Sequence, residues 1–401
     1  MSNRLRHLLA KCICKACRHK TLRPQNVYRG THVLFECTNP SCGASEEVRL
    51  PRLCRTVIYL DTSTISHIVR SLSRRDLSSP YHRLYHALKA AAYANVIACV
   101  GSSIVRSEGE LSIYATEIAR MSRELGDAGA THDLHVRDAQ VYRAFYRYLR
   151  DEPPLAQSRP PRLDAFDEKV DKWPSMLAFR SHMPSHPEWI EARRNAKAKA
   201  RADVEAAYRR YEQNNLRFSE IVGHELAGFA SLLRQDPIFY RLMYIAQQRL
   251  GLSHEEASKL VSTFLGSDYV ATLPMAVINA RLHAALAMLC RGSSARLPKE
   301  SDLADIDHLA TYAPYVNIFV ADRFFADLAN QRHVRIGSEF DVTIRSLGMS
   351  EVDEFIEVLS QLEAACPTAA ISRQVYDAIA AGGFVEDLAA MAARYMAGRQ
   401  S

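Results

Sequence analysis

The 401-residue sequence lacks any long hydrophobic run. No apolar stretch reaches the roughly 18 residues of a membrane span, and the opening "MSNRLRHLLAKC" has too short an apolar core for a secretory signal. We therefore expect no membrane partner and a cytoplasmic location. The chain also lacks a large excess of charge of one sign, because its formal net charge is only +6. A balance this mild permits a polyanionic partner without requiring one.

Several common chemical signatures are missing as well. The chain has no internal repeat, no Ser-His-Asp order and no glycine-rich phosphate loop, since "SEGELS" is not such a loop. Cysteine is scarce after residue 54, where Cys99, Cys290 and Cys366 are interpreted as buried small hydrophobic residues. With 48% hydrophobic and 24% charged residues, the composition is that of a soluble globular chain of two or three structural units.

The remaining cysteines are concentrated at the N-terminus. "CICKACRHK" and "ECTNPSCGA" form a C-x2-C pair and a C-x4-C pair separated by nineteen residues. In a reducing compartment this spacing favours a structural Zn²⁺ site over disulfides. We predict four ligands and a turn at Gly43 with positive φ, and we keep Cys12 as an alternative for the first pair. The predicted ligands are Cys14, Cys17, Cys37 and Cys42.

The second cysteine pair, "CTNPSCG", resembles the short zinc modules of phage late-transcription activators, which carry the form C-x-N-x-x-C-G. The resemblance covers about forty residues. Two interpretations stay open: zinc replaces a core that is too small to form alone, or the module contacts nucleic acid. In the second case a phosphate-facing surface would be formed by Arg18, Lys20, Arg23, Tyr28 and Arg29.

The sequence predicts three segments: a zinc-ribbon module at 1–52, an α/β domain at 53–345, and a helical segment at 346–401. Within 53–345, an apolar strand at 57–60, helical spacing and a second apolar run, "NVIACV", give a β-α-β-α order that favours a parallel sheet. Residues of about 120–290 look helical and are predicted to be an insertion. The α/β pattern returns in "DIDHLATYAPYVNIFVADRFF".

Four acidic residues follow or open elements that would meet at one edge of a parallel sheet. Asp61 ends the first strand, and Asp322 ends the strand "NIFVAD". Glu108, with Glu110 as its rival, follows the second strand, and Asp305 is expected to open a helix. Each acid also has a structural interpretation, because Asp61, Asp305 and Asp322 could cap helices and Glu108 could be a solvated helix residue.

These motifs resemble the PIN-domain nucleases. The family pattern has a strand ending in L-D-T/S, a serine-led helix with a glutamate, a D-x-x-H-L segment and a strand ending in T-x-D. This chain has "YLDTSTIS", "SSIVRSE", "DIDHLAT" and "FVAD". It departs from the pattern at Val320-Ala321, where threonine is usual, and at Asn317, where an acid is often found.

The resemblance implies a PIN-like parallel sheet flanked by helices. It also implies metal-dependent cleavage of RNA or single-stranded DNA, with Mg²⁺ or Mn²⁺ held by Asp61, Glu108, Asp305 and Asp322. Thr62 and Ser63, and Ser102 or Ser103, are expected to orient a ligand or a metal-bound water. His308 could be a ligand or base, but a lone histidine on an apolar helix more often packs in the core.

The segment "EARRNAKAKARADVEAAYRRYEQNNLRF", residues 191–218, is predicted to be one basic helix. It is either a solvated face or a phosphate-binding surface that leads to the acids, with Tyr208 and Tyr211 available for base stacking. A metal-dependent nuclease is the function we expect. The alternatives are a zinc-ribbon nucleic-acid-binding regulator with a degenerate PIN-like scaffold, and a protein-interaction module that recruits a partner through the helical insertion.

Overall fold

A computed structural model gives the architecture. It describes residues 14–19, 22–28, 32–37, 39–49, 55–102, 132–154, 187–292 and 296–366, with scattered residues between 105 and 166 and between 368 and 373. The predicted residues Cys12, Lys20, Arg29, Ser103, Glu108 and Glu110 lie outside these ranges.

The N-terminal segment forms a three-stranded antiparallel sheet. Its strands are β1 (Leu22–Tyr28), β2 (His32–Cys37) and β3 (Ser45–Arg49), in the order β1-β2-β3. The β2–β3 pairing runs from His32 opposite Arg49 to Glu36 opposite Ser45. This register brings Cys37, the last residue of β2, beside the turn that precedes β3.

The second sheet is four-stranded and entirely parallel, with the order β5-β4-β6-β7. Its strands are β4 (Thr56–Leu60), β5 (Ile97–Val100), β6 (Ile318–Ala321) and β7 (Thr343–Ser346). Strands β5 and β6 are buried throughout, as parallel strands covered by helices on both faces must be. The predicted mixed α/β architecture is therefore confirmed, and β4 and β6 are direct neighbours although about 260 residues separate them along the chain.

Helices cover this sheet and make up most of the described residues between β5 and β6. In chain order they are α1 (Thr62–Ser73), α2 (Pro80–Tyr93), α3 (Asp133–Leu149), α4 (Pro187–Gln213), α5 (Phe218–Gln235), α6 (Pro237–Leu250), α7 (His254–Leu265), α8 (Asp268–Ala271), α9 (Pro274–Leu289), α10 (Glu300–Tyr312), α11 (Arg323–Asn330), α12 (Ile336–Phe340) and α13 (Val352–Ala365). None of the helices in the described ranges combines the length and hydrophobicity that a membrane span requires.

Two hydrophobic cores occur among the residues that the structure describes. The larger core surrounds the parallel sheet and includes side chains from α4 and α9, such as Tyr208 and Ile278. The second core joins α3 to α5, α6, α7 and α8, with Phe145 and Phe264 in edge-to-face contact at its centre. Part of the helical segment thus packs on the α/β core, and part of it buries apolar surface within itself.

The basic helix begins and ends earlier than predicted, because α4 starts at Pro187. Helix α4 ends at Gln213, and Asn215 adopts a left-handed backbone conformation with φ of 49°. Helix α5 then begins at Phe218, where the backbone N–H of Arg217 donates to the Glu220 carboxylate at 2.7 Å. A left-handed residue followed by a new N-terminal cap breaks a helix, so residues 191–218 are not one continuous element.

Candidate acidic site and cysteine cluster

Asp61 follows β4 directly and caps α1. Its Oδ1 accepts a hydrogen bond from the backbone N–H of Thr62 at 2.6 Å, and its Oδ2 accepts one from the Ser63 hydroxyl at 2.6 Å. The backbone N–H of Ser63 adds a longer contact at 3.4 Å. The capping interpretation is therefore confirmed, and the carboxylate, only 5% exposed, is held in one orientation by these contacts.

Asp322 occupies the corresponding position after β6. Its Oδ1 accepts the backbone N–H of Phe325 at 2.7 Å, so it caps α11 as Asp61 caps α1. Burial raises the pKa of the Asp322 carboxyl, the charges of Asp61 and Asp302 raise it further, and Arg296 opposes them. Asp61 and Asp322 follow neighbouring parallel strands, so both lie at the same edge of the sheet.

Asp305 does not open a helix as predicted. Helix α10 already begins at Glu300, and the backbone N–H of Lys299 donates to Oδ2 of Asp302 at 2.8 Å. Asp302, three residues after Lys299, therefore supplies the N-terminal cap contact, and Asp305 lies half-buried one turn further along. The cap prediction for Asp305 was wrong because Asp302, an acid at the third position of the helix, was not recognised as the residue that marks the helix N-terminus.

Asp302 and Arg296 are the site residues that sequence reasoning overlooked. Asp302 is 1% exposed, and the Arg296 guanidinium donates to its two oxygens at 2.7 and 2.8 Å. Asp302 had a local signal in its cap position, but nothing in the sequence shows that Arg296 turns back onto it.

A buried hydrogen-bonded network lies behind this edge. The Tyr59 hydroxyl contacts Ser102 Oγ at 2.7 Å and His308 Nδ1 at 2.5 Å. Tyr59 also stacks on Phe319 of β6. The packing interpretation of His308 is thus confirmed. Ser102 Oγ also accepts the backbone N–H of Val105 at 2.9 Å. The network joins β4, the end of β5 and α10.

The basic helix α4 packs against α10, the helix that carries Asp305. Lys199 is exposed, and Lys197 is half-buried and interacts electrostatically with Asp307 of α10. Tyr208 is 4% exposed and its hydroxyl bonds to His283 at 2.7 Å, so this side chain is not available for base stacking. Tyr211 donates to Glu225 at 3.0 Å.

The four predicted cysteine ligands converge. One ligand atom from each of Cys14, Cys17, Cys37 and Cys42 lies within 4.8 Å of the others. The Sγ atoms of Cys14 and Cys42 are 3.6 Å apart, and those of Cys17 and Cys37 are 3.4 Å apart. Tetrahedral zinc with bonds of about 2.3 Å places sulfurs roughly 3.8 Å apart. The cluster therefore fits a metal ion such as zinc, and the chemistry of four thiols suits that ion.

Local backbone geometry supports the cluster. Gly43 has φ of 56°, as predicted for the turn after the second pair, and Arg18 has φ of 55° after the first pair. The backbone N–H of His19 lowers the pKa of the Cys17 thiol to about 6. The contact with Cys17 contributes to a raised pKa at Cys37 and Cys42, so the four thiols titrate as one group, and metal binding would require all of them as thiolates.

Among the residues that the structure describes, the cysteine cluster is the one group of three or more His, Cys, Asp or Glu ligand atoms within 4.8 Å of one another. The predicted acids Asp61 and Asp322 follow the neighbouring strands β4 and β6, and Glu108 lies outside the described residues. Comparison of the chain with protein-family models, curated proteins and solved structures gives no match.

Proposed function

We propose that this chain is a metal-dependent nuclease that hydrolyses phosphodiester bonds in RNA or single-stranded DNA. One observation carries the proposal: Asp61 and Asp322 end neighbouring parallel strands, and the charge of Asp61 raises the pKa of the Asp322 carboxyl. The carboxyl edge of a parallel sheet is where α/β folds place ligands. Two mutually repelling carboxylates at that edge suit a divalent cation.

The chemistry of the donors fits Mg²⁺ or Mn²⁺, which prefer carboxylate oxygens and retain several waters. Asp61 and Asp322 would hold the ion, and the resemblance to PIN-domain nucleases adds Asp305 and Glu108. When bound, such an ion supplies an activated water and stabilises the leaving oxygen. The Ser63 hydroxyl, 2.6 Å from Asp61 Oδ2, would keep that carboxylate oriented.

The PIN-like assignment and the zinc ribbon belong to the same proposal. The parallel order β5-β4-β6-β7 delivers "YLD" and "FVAD" to adjacent positions, as the motif resemblance requires. In this scheme, zinc on the four cysteines would stabilise the three-stranded module. The module would help to select the nucleic acid.

The runner-up function is a nucleic-acid-binding regulator with a catalytically degenerate PIN-like scaffold. A specific observation favours it: Asp61 and Asp322 both cap helices, which gives each acid a structural reason to be present. The chain also carries Val320-Ala321 and Asn317 where the family pattern differs. Asn317 accepts the backbone N–H of Val57 at 2.9 Å, which is a structural role.

Metal-dependent turnover separates the two functions. The full chain would be incubated with labelled RNA and single-stranded DNA of mixed sequence, in Mg²⁺, in Mn²⁺ and in EDTA. The nuclease proposal expects cleavage in at least one metal, none in EDTA, and loss of cleavage in Asp322→Asn. Binding without cleavage of any substrate in either metal would favour the regulator.

A further inference from the structure

Arg296 is held at the acidic edge from two sides. Its guanidinium forms the paired contact with Asp302, and its central carbon lies 3.9 Å above the centre of the Phe324 ring. Phe324 belongs to the first turn of α11, two residues after Asp322. Arg296 therefore connects the loop before α10 with the helix that Asp322 caps.

The contacts leave part of the Arg296 side chain exposed. Arginine has five N–H donors, and two of them are used by Asp302. The Arg296 side chain is 30% exposed, whereas the Asp302 side chain is 2% exposed. Stacking on an aromatic ring and pairing with a carboxylate fix the plane of a guanidinium, so its remaining donors point in fixed directions within that plane.

We propose that Arg296 contacts a phosphate of a nucleic-acid strand bound at the acidic edge. The inference rests on the proposed function, because it requires the strand to reach Asp61 and Asp322. Carboxylates repel a phosphate, so an edge that accepts one needs a fixed cation beside them. A planar guanidinium suits phosphate oxygens because it can donate two parallel hydrogen bonds.

The competing explanation is that Arg296 only neutralises the buried Asp302. A single Arg296→Gln variant cannot separate the two explanations, since it leaves a buried carboxylate without its partner and destabilises the fold. The double variant Arg296→Gln with Asp302→Asn removes both charges together. The amide that Asp302→Asn introduces still has an oxygen that can accept the Lys299 backbone N–H, so the cap contact is retained.

The test measures binding of a labelled single-stranded oligonucleotide without added Mg²⁺ or Mn²⁺ across a series of salt concentrations, with thermal unfolding of each variant as a check. We expect the double variant to unfold near the wild-type temperature, bind severalfold more weakly, and lose about 0.7 from the slope of log affinity against log salt. Asp302→Asn alone keeps the cation and should retain the wild-type slope. Arg296→Lys, a second variant, should also retain the slope because it keeps the charge.

A wild-type slope in the folded double variant would overturn the phosphate contact and leave Arg296 as the partner of Asp302. Wild-type protein that binds neither RNA nor single-stranded DNA would overturn it as well. Because binding is measured without added Mg²⁺ or Mn²⁺, the result is independent of cleavage. An inactive chain whose salt slope depends on Arg296 would refute the nuclease function and support the contact.

Discussion

The backbone N–H of Asp61 donates to the carbonyl of Val320 at 3.1 Å, which ties the end of β4 to the end of β6. The bond fixes the separation between Asp61 and the residue that follows β6, Asp322. Both carboxylates also cap helices, so the same geometry serves stability and could serve metal binding. A helix cap needs a side-chain oxygen but not a negative charge, whereas a metal ligand needs the charge. A variant that keeps the oxygen and removes the charge therefore distinguishes the two roles.

The cysteine cluster predicts one zinc per chain. In a Cys37→Ser, Cys42→Ser variant, zinc measured by elemental analysis should fall to background, because two remaining thiolates cannot complete a tetrahedral site. Cys366→Ser is the control, since Cys366 lies far along the chain and contacts Thr368. Unchanged zinc in the double variant would refute the four-cysteine site.

Much of this architecture could be predicted from local sequence. Continuous apolar runs bounded by an acid marked β4 and β6, because buried parallel strands have no polar face. The cysteine spacing predicted the cluster, since two short knuckles bring four sulfurs together whatever follows. The pairing of β4 with β6 needed the assumption of a parallel sheet, which the alternating elements supported.

The remaining features depend on tertiary contacts that local patterns do not encode. The approach of Arg296 to Asp302 and Phe324 is set by a loop between two helices. Burial of Tyr208 depends on α9, which supplies His283 from 75 residues away. The start of α10 was misplaced because "LPKESD" was not recognised as the helix N-terminus.

The Tyr59 network should matter for both stability and activity. Tyr59→Phe removes the hydroxyl shared by Ser102 and His308, so we expect a loss of about 1–3 kcal/mol in the free energy of unfolding. Tyr81→Phe is a matched control, because the Tyr81 hydroxyl also makes a buried contact, to the Leu347 carbonyl at 2.7 Å. Under the nuclease proposal, Tyr59→Phe should reduce turnover while folded Tyr81→Phe should not. Equal turnover in the two folded variants would show that the network is only structural.

The packing of α4 on α10 makes the phosphate-binding role of the basic helix testable. Lys197→Gln with Lys199→Gln should weaken nucleic-acid binding and reduce the salt slope by about 0.7 for each lost phosphate contact. Arg249→Gln with Lys259→Gln removes the same charge from α6 and α7 and serves as the control. If both pairs change the slope equally, α4 is no more than a solvated basic face.

The raised pKa of Asp322 leads us to expect that the stability of the metal-free protein depends on pH. The carboxyl pKa of Asp322 is raised above the ordinary 3.8 in the folded chain, chiefly by burial. The folded state therefore holds the Asp322 proton more tightly than the unfolded state. Protonated Asp322 thus contributes to the free energy of unfolding below the ordinary pKa, and this contribution is lost as pH rises through the raised pKa. Unfolding of wild type and Asp322→Asn in EDTA, between about pH 3 and 7, should show the wild type losing stability relative to the variant as pH rises. Parallel pH profiles would contradict the raised pKa.

The most direct test of Asp61 exploits the difference between its charge and its hydrogen bonds. Asp61→Asn retains an oxygen that caps a helix about as well as aspartate, so a purely structural Asp61 would show little change in stability or activity. A metal ligand would lose the charge that holds the ion, and cleavage in Mg²⁺ or Mn²⁺ should collapse while the fold persists.

The chain offers a matched control for this change. Asp76 accepts the Ser78 backbone N–H at 3.2 Å and the Ser78 hydroxyl at 2.7 Å, which repeats the contacts between Asp61 and Ser63. It lies beyond the far end of α1, a helix of 12 residues and about 18 Å. Asp76→Asn should therefore leave cleavage intact.

The acids should also fail to act independently. Because Asp61 and Asp322 would serve one ion, the variant carrying both Asp61→Asn and Asp322→Asn should be little less active than either single variant. Activities would be compared on RNA and single-stranded DNA with both metals, at protein concentrations corrected for the folded fraction. Full cleavage by folded Asp61→Asn would leave Asp61 as a helix cap, and multiplicative losses in the double variant would place the two acids in separate roles.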